Sequence, residues 1–93
     1  MRMIKLGHAL LGLNQGRLRA HSHCAQNRAE LRSSSQYGCF YCLAIFPPTD
    51  VTEWVGGEDT ALCAKCGIDS VIGSASGYPI TVEFLQRMHD YWF

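Results

Sequence analysis

No run in this chain approaches the roughly 18 to 20 consecutive apolar residues that span a bilayer, so the expectation is a soluble protein with no membrane partner. A signal peptide is not expected either. Met1 to Lys5 carries positive charge, but the apolar stretch after it is short and broken by Gly7, His8, Gly12 and Asn14. Ala20-His21-Ser22-His23, ahead of Cys24, also lacks the small apolar pattern that precedes a lipidated cysteine. The location these absences predict is the reducing cytoplasm, where a C-x-x-C pair reads as metal-binding or catalytic rather than as a disulfide.

Each half of the chain is short of one sign of charge. Residues 1–38 set Glu30 alone against Arg2, Lys5, Arg17, Arg19, Arg28 and Arg32, a balance of +5. Residues 39–93 set Lys65 and Arg87 against Asp50, Glu53, Glu58, Asp59, Asp69, Glu83 and Asp90, a balance of −5. The total is zero, and the chain is a charge dipole. Its basic part either rests on the acidic face of its own domain or serves as an arm for nucleic acid or an acidic partner.

With 93 residues there is room for one core. Hydrophobic residues at 47% argue against wholesale disorder, but a chain this short gains from a staple such as a metal. Three stretches differ in character. Residues 1–19 show no sustained period and read as a flexible leader. Residues 20–37 read as a basic helical arm and linker: 20–32 lack Gly and Pro, and Ser33-Ser34-Ser35 supplies the exit. Residues 38–93 read as the folded domain.

Within that domain, Leu43-Ala44-Ile45-Phe46 is predicted as a short strand stopped by Pro47-Pro48. Thr52–Val55 and Thr60–Leu62 are strand-like pieces joined by Gly56-Gly57-Glu58-Asp59, which is hairpin turn chemistry. Ile68–Ile72 reads equally as one helical turn or a strand, and 73–79 as a loop. Ile80, Phe84, Leu85, Met88, Tyr91 and Trp92 then recur on one helical face, with Thr81 placed to cap the N-terminus and Glu83 in the first turn. That helix is expected to pack on the hairpin that delivers Cys63.

Cys39-x-x-Cys42 and Cys63-x-x-Cys66 are separated by residues 43–62, the spacing of a two-knuckle zinc site. Each tight turn presents two sulfurs, and two pairs close a tetrahedron around one borderline-soft ion. A redox dithiol of thioredoxin type needs one pair within a βαβ context, for which this chain is too short. Iron is a second occupant that four thiolates suit. Four protein ligands leave no open position, so the zinc is expected to be structural. Cys24 reads as an ordinary thiol, with His21 and His23 close enough in sequence to suggest a weak second metal site. At i and i+2, however, His21 and His23 point to different helix faces. Asp69 and Ser70, just after the last ligand, are placed to hydrogen-bond a ligand sulfur or cap a short helix.

The order knuckle, hairpin, knuckle, helix over about residues 38–92 resembles the treble-clef and zinc-ribbon groups. Cys39-Phe40-Tyr41-Cys42, Phe46-Pro47-Pro48, Glu53-Trp54, the run from Thr60 to Gly73 and the ending Tyr91-Trp92-Phe93 are similar to a family of short bacterial cytoplasmic proteins of unknown function. The resemblance implies zinc, a bacterial source and the cytoplasm. Treble-clef relatives include HNH-type nucleases, but these place a catalytic histidine between the cysteine pairs or on the hairpin. Residues 43–62 contain none, and His21, His23 and Asn27 all precede the first knuckle. Zinc deaminase chemistry lacks its upstream histidine-and-glutamate signature.

The expectation is therefore a small α+β zinc domain of treble-clef or zinc-ribbon type, preceded by a basic helix. Its expected task is binding a protein partner, with a nucleic acid held by the basic arm as the alternative and an HNH-like nuclease as a third.

Overall fold

The structure is a computed structural model that describes residues 19–93; the leader expected over 1–19 lies almost wholly outside the described residues. Five short strands form two antiparallel sheets. The first holds β1 (Tyr37–Cys39) between β2 (Ile45–Phe46) and β5 (Val71–Gly73), and the second pairs β3 (Trp54–Val55) with β4 (Thr60–Ala61). Register places Gly38 opposite both Ile45 and Ile72, and Trp54 opposite Ala61. Of the stretch 68–72, ambiguous between helix and strand, Val71 and Ile72 enter β5, and 68–70 are irregular. An edge of β1 is free there, and Tyr37–Cys39 supplies it with backbone partners that one helical turn would lack.

The helix expected over 20–32 is not continuous. A 3-10 turn at Ser22–Cys24 is followed by a break and then α1 (Arg28–Arg32). Gln26 sits at φ 51°, and Asn27 explains the break. Its side chain is 2% exposed; Nδ2 donates to the carbonyls of His23 (3.0 Å) and Val71 (2.9 Å), and Oδ1 accepts from Ala61 N–H (3.1 Å). Asn27 thus bridges β4 of one sheet to β5 of the other, and the helix yields to satisfy those buried groups.

Segment 26–28 continues along the hairpin. Gln26 N–H donates to Thr60 Oγ1 at 2.8 Å and Arg28 N–H to Asp59 O at 3.1 Å. The Arg28 guanidinium lies 4.5 Å from the Trp54 ring centre and donates to Glu58 O at 2.6 Å. Here one base of the stretch, Arg28, lies against the hairpin of the acidic half.

α2 (Val82–Trp92) starts as the sequence predicts, with Phe84 N–H donating to Thr81 Oγ1 at 3.1 Å. Its docking differs from expectation. Phe84, Leu85 and Met88 pack with Ile80, Ala20, Cys24, Phe40 of the first knuckle and Ile72 of β5. The β3–β4 hairpin belongs to a second core of Leu31, Tyr37, Cys39, Val51, Ala61, Cys63 and Val71. Gly38 makes the helix docking feasible, because a Cβ there would stand 2.7 Å from Leu85 Cδ1. Two small cores share β1 and β5, and the four cysteines lie beside the second.

Candidate metal centre

The two C-x-x-C turns repeat one backbone design. In the first, Cys39 N–H donates to Ala44 O at 3.0 Å and Leu43 N–H to Cys39 O at 2.7 Å. In the second, Cys63 N–H donates to Ile68 O at 3.0 Å and Gly67 N–H to Cys63 O at 2.9 Å. The N–H two residues after the first cysteine of each pair points at its sulfur: Tyr41 to Cys39 Sγ at 3.4 Å, Lys65 to Cys63 Sγ at 3.3 Å. Each loop closes through a left-handed residue, Leu43 at φ 67° and Gly67 at φ 77°. Glycine takes that conformation freely and leucine does not.

The turns face one another. All four sulfurs lie within 4.8 Å of each other, with Cys39–Cys66 at 3.6 Å and Cys42–Cys63 at 3.7 Å. A tetrahedron with metal–sulfur bonds of about 2.3 Å has sulfurs about 3.8 Å apart, so the set fits one ion held by four thiolates. The sequence-predicted ligands Cys39, Cys42, Cys63 and Cys66 are therefore brought together.

Without a metal, four sulfurs this close cannot all ionise. Burial pushes the Cys42 thiol up and drives Cys66 to about 12. Cys63 moves the other way: burial opposes its charge, but the N–H groups of Cys66 and Lys65 and the sulfurs of Cys42 and Cys39 outweigh it. The metal-free cluster thus favours the charged form at Cys63 over that at Cys42 or Cys66. Loading a divalent ion would expel the remaining protons, so metal affinity falls as pH falls.

Two groups outside the cysteine pairs complete the site. Ser70, 2% exposed, places Oγ 3.1 Å from Cys39 Sγ, and its carbonyl accepts Phe40 N–H at 3.0 Å. Asp69, its equal in the sequence reading, is exposed, so burial picks the serine. Tyr37, fully buried on β1, accepts Ala64 N–H on its hydroxyl at 3.3 Å and so ties strand β1 to the second knuckle. Burial pushes its pKa up to about 12, which keeps the phenol neutral. The sequence carried no signal for Tyr37 beyond its closeness to Cys39, because its partner is 27 residues away.

The remaining candidates have other employment. His21 lies against Trp92 with ring centres 4.0 Å apart and the planes tilted by 38°. His23 Nδ1 lies 2.9 and 3.0 Å from the two Glu30 carboxylate oxygens. Cys24 is a buried core thiol, raised to about 11 by burial and then by Asp69, and is correspondingly inert. Among the described residues, the four cysteines are the only group of three or more His, Cys, Asp and Glu side chains placed to share an ion. Nor is any helix among them long and apolar enough to cross a membrane.

Comparison of the chain with protein-family models, with curated proteins and with solved structures returned no match in any of the three.

Proposed function

We propose that Cys39, Cys42, Cys63 and Cys66 hold one structural zinc ion and that the domain it staples is a cytoplasmic binding module for a protein partner. The observation that carries the reading is the closed set of four sulfurs within 4.8 Å. An all-thiolate tetrahedron suits zinc over the harder divalent ions, and a fourth protein ligand leaves no place for substrate or water. The motif resemblance to treble-clef and zinc-ribbon domains and to short bacterial cytoplasmic proteins supports the same reading.

A protein partner is favoured over nucleic acid by charge. The acidic half stays at −5, and zinc with four thiolates adds a further −2. Arg28, the most constrained base of the proposed arm, is already spent on Trp54 and Glu58. Phosphate contacts need a sustained basic surface. A nuclease reading of HNH type gains no support from His21 or His23, which face Trp92 and Glu30.

The test is metal content by native mass spectrometry on the full chain and on Cys63→Ser, with circular dichroism before and after chelation. One zinc per chain, lost together with the fold in the variant, is expected; a metal-free, folded parent rejects the staple. Salt-sensitive retention on DNA or RNA would reverse the ranking of partners.

A further inference from the structure

The four ligands are not equivalent toward solvent. Cys39 and Cys63 are 0% and 3% exposed, whereas Cys42 and Cys66 are half-buried. Each knuckle therefore buries its first cysteine and leaves its second half-buried. The hidden sulfurs differ in the kind of donor they face: Cys39 has Tyr41 N–H and, at 3.1 Å, the Ser70 hydroxyl, while Cys63 has the backbone N–H groups of Lys65 and Cys66. A thiolate sulfur carries no proton, so in a metal-loaded site the Ser70 hydroxyl must be the donor to Cys39.

We propose that the solvent face of this centre is an oxidation site for hydroperoxides, at which Cys42 is attacked, Cys63 resolves it, and the metal is released. The inference rests on the reading of the four cysteines as metal ligands. In the first step the Cys42 thiolate attacks the terminal peroxide oxygen; the S–O bond forms as the O–O bond breaks, and hydroxide leaves from hydrogen peroxide, or alkoxide from an organic hydroperoxide. Cys42 is then a sulfenic acid. In the second step the Cys63 thiolate, 3.7 Å away, attacks the Cys42 sulfur; the S–S bond forms, the S–O bond breaks, and hydroxide leaves. Two thiolates supply the two electrons that reduce one peroxide. Only two thiolates remain for the ion, which dissociates.

Ser70 sets the order of events. Its O–H approaches Cys39 at 3.1 Å, closer than Lys65 N–H approaches Cys63 at 3.3 Å, and so withdraws more charge from Cys39, making that sulfur the poorer resolving nucleophile of the two. The first disulfide therefore links the knuckles through Cys42 and Cys63, leaving Cys39 and Cys66 for a second equivalent of peroxide.

The experiment treats the zinc-loaded full chain with hydrogen peroxide, follows metal release with a chromogenic chelator, blocks free thiols with a maleimide at intervals, and maps disulfides by peptide mass spectrometry. Zinc release in step with a Cys42–Cys63 disulfide is expected. Ser70→Ala should raise the share of Cys39–Cys66 disulfide about two- to tenfold, and Ser70→Thr, which keeps the hydroxyl, should restore the original order. A first product within one knuckle, Cys39–Cys42 or Cys63–Cys66, overturns the proposal, as does an order that Ser70→Ala leaves unchanged. Metal content before peroxide separates the two failures: a chain without zinc sinks the metal reading, whereas a fully loaded chain oxidised in the wrong order sinks this proposal alone.

Discussion

The two cysteine knuckles have the same hydrogen bonds and each close through a left-handed residue at the same position, Leu43 in one and Gly67 in the other, yet their surroundings differ. In the first, the two intervening residues are Phe40, 1% exposed within the core under α2, and Tyr41, 45% exposed beside Phe93. In the second, they are Ala64 and Lys65, both exposed. The first knuckle is built into the fold; the second is fastened to it by Tyr37, by the hairpin that delivers Cys63, and by the metal its sulfurs would share. A loop held by its own packing tolerates loss of the ion better than one held mainly through it.

Truncation inside the two turns should break that symmetry most visibly. Phe40→Ala removes a fully buried aromatic side chain from the core under α2 and is expected to cost about 3 to 5 kcal/mol, whereas Lys65→Ala, at an exposed position of the second turn that matches Tyr41 of the first, should stay within about 0.5 kcal/mol. Urea unfolding of the metal-loaded chain measures both. Similar losses would mean that the knuckles are equally embedded.

The closing residues give a finer contrast. Gly67→Ala places a Cβ at φ 77° in open space and should destabilise by about 1 kcal/mol through backbone strain alone. Leu43→Gly relieves the same strain at φ 67° but removes a side chain packed on the core, so its net cost should fall below the usual range of about 2 to 5 kcal/mol for truncating a buried leucine. If Leu43→Gly cost as much as an ordinary core truncation, the left-handed turn would carry no strain worth relieving.

Tyr37→Phe tests the fastening of the second knuckle. Losing the bond to Ala64 N–H should cost about 1 kcal/mol. Amide exchange should quicken at 64–67 and stay unchanged at 40–43, a readout that general destabilisation would spread over both turns.

The smallest effect concerns Cys24, in the core that the first knuckle shares. Its pKa is raised from 9.0 to about 11, so the folded state favours the protonated thiol more than the unfolded chain does. Its contribution is complete below pH 9 and lost as pH climbs through about 11. Thermal unfolding of Cys24→Ala should show a weaker decline across that window than the parent; parallel curves would discount the buried thiol.

Much of the site was legible because its chemistry is local. Two residues between ligands is a short reach, and the 43–62 spacing with hairpin chemistry inside it brings the pairs together. The C-terminal helix was legible for a similar reason, since its apolar period and its Thr81 cap lie within one segment. Asn27 was not. Its three partners lie 4, 34 and 44 residues away, and good helix formers on both sides favoured an uninterrupted helix there. Propensity yielded to buried hydrogen bonds, because an unmet buried donor or acceptor costs about 1 to 3 kcal/mol, more than one residue's helical preference.

The sequence by itself determined the two cysteine pairs that come together, the hairpin between them and the capped helix, each of which depends on neighbours within a few residues or on a repeated short motif. The tertiary structure decided which partner each element takes: α2 on the first knuckle rather than on the hairpin, β5 as a strand, the supposed basic arm as a clasp between two sheets, and Ser70 rather than Asp69 at the Cys39 sulfur. Those choices depend on burial and on hydrogen bonds between residues far apart in sequence, which no local pattern of residues encodes.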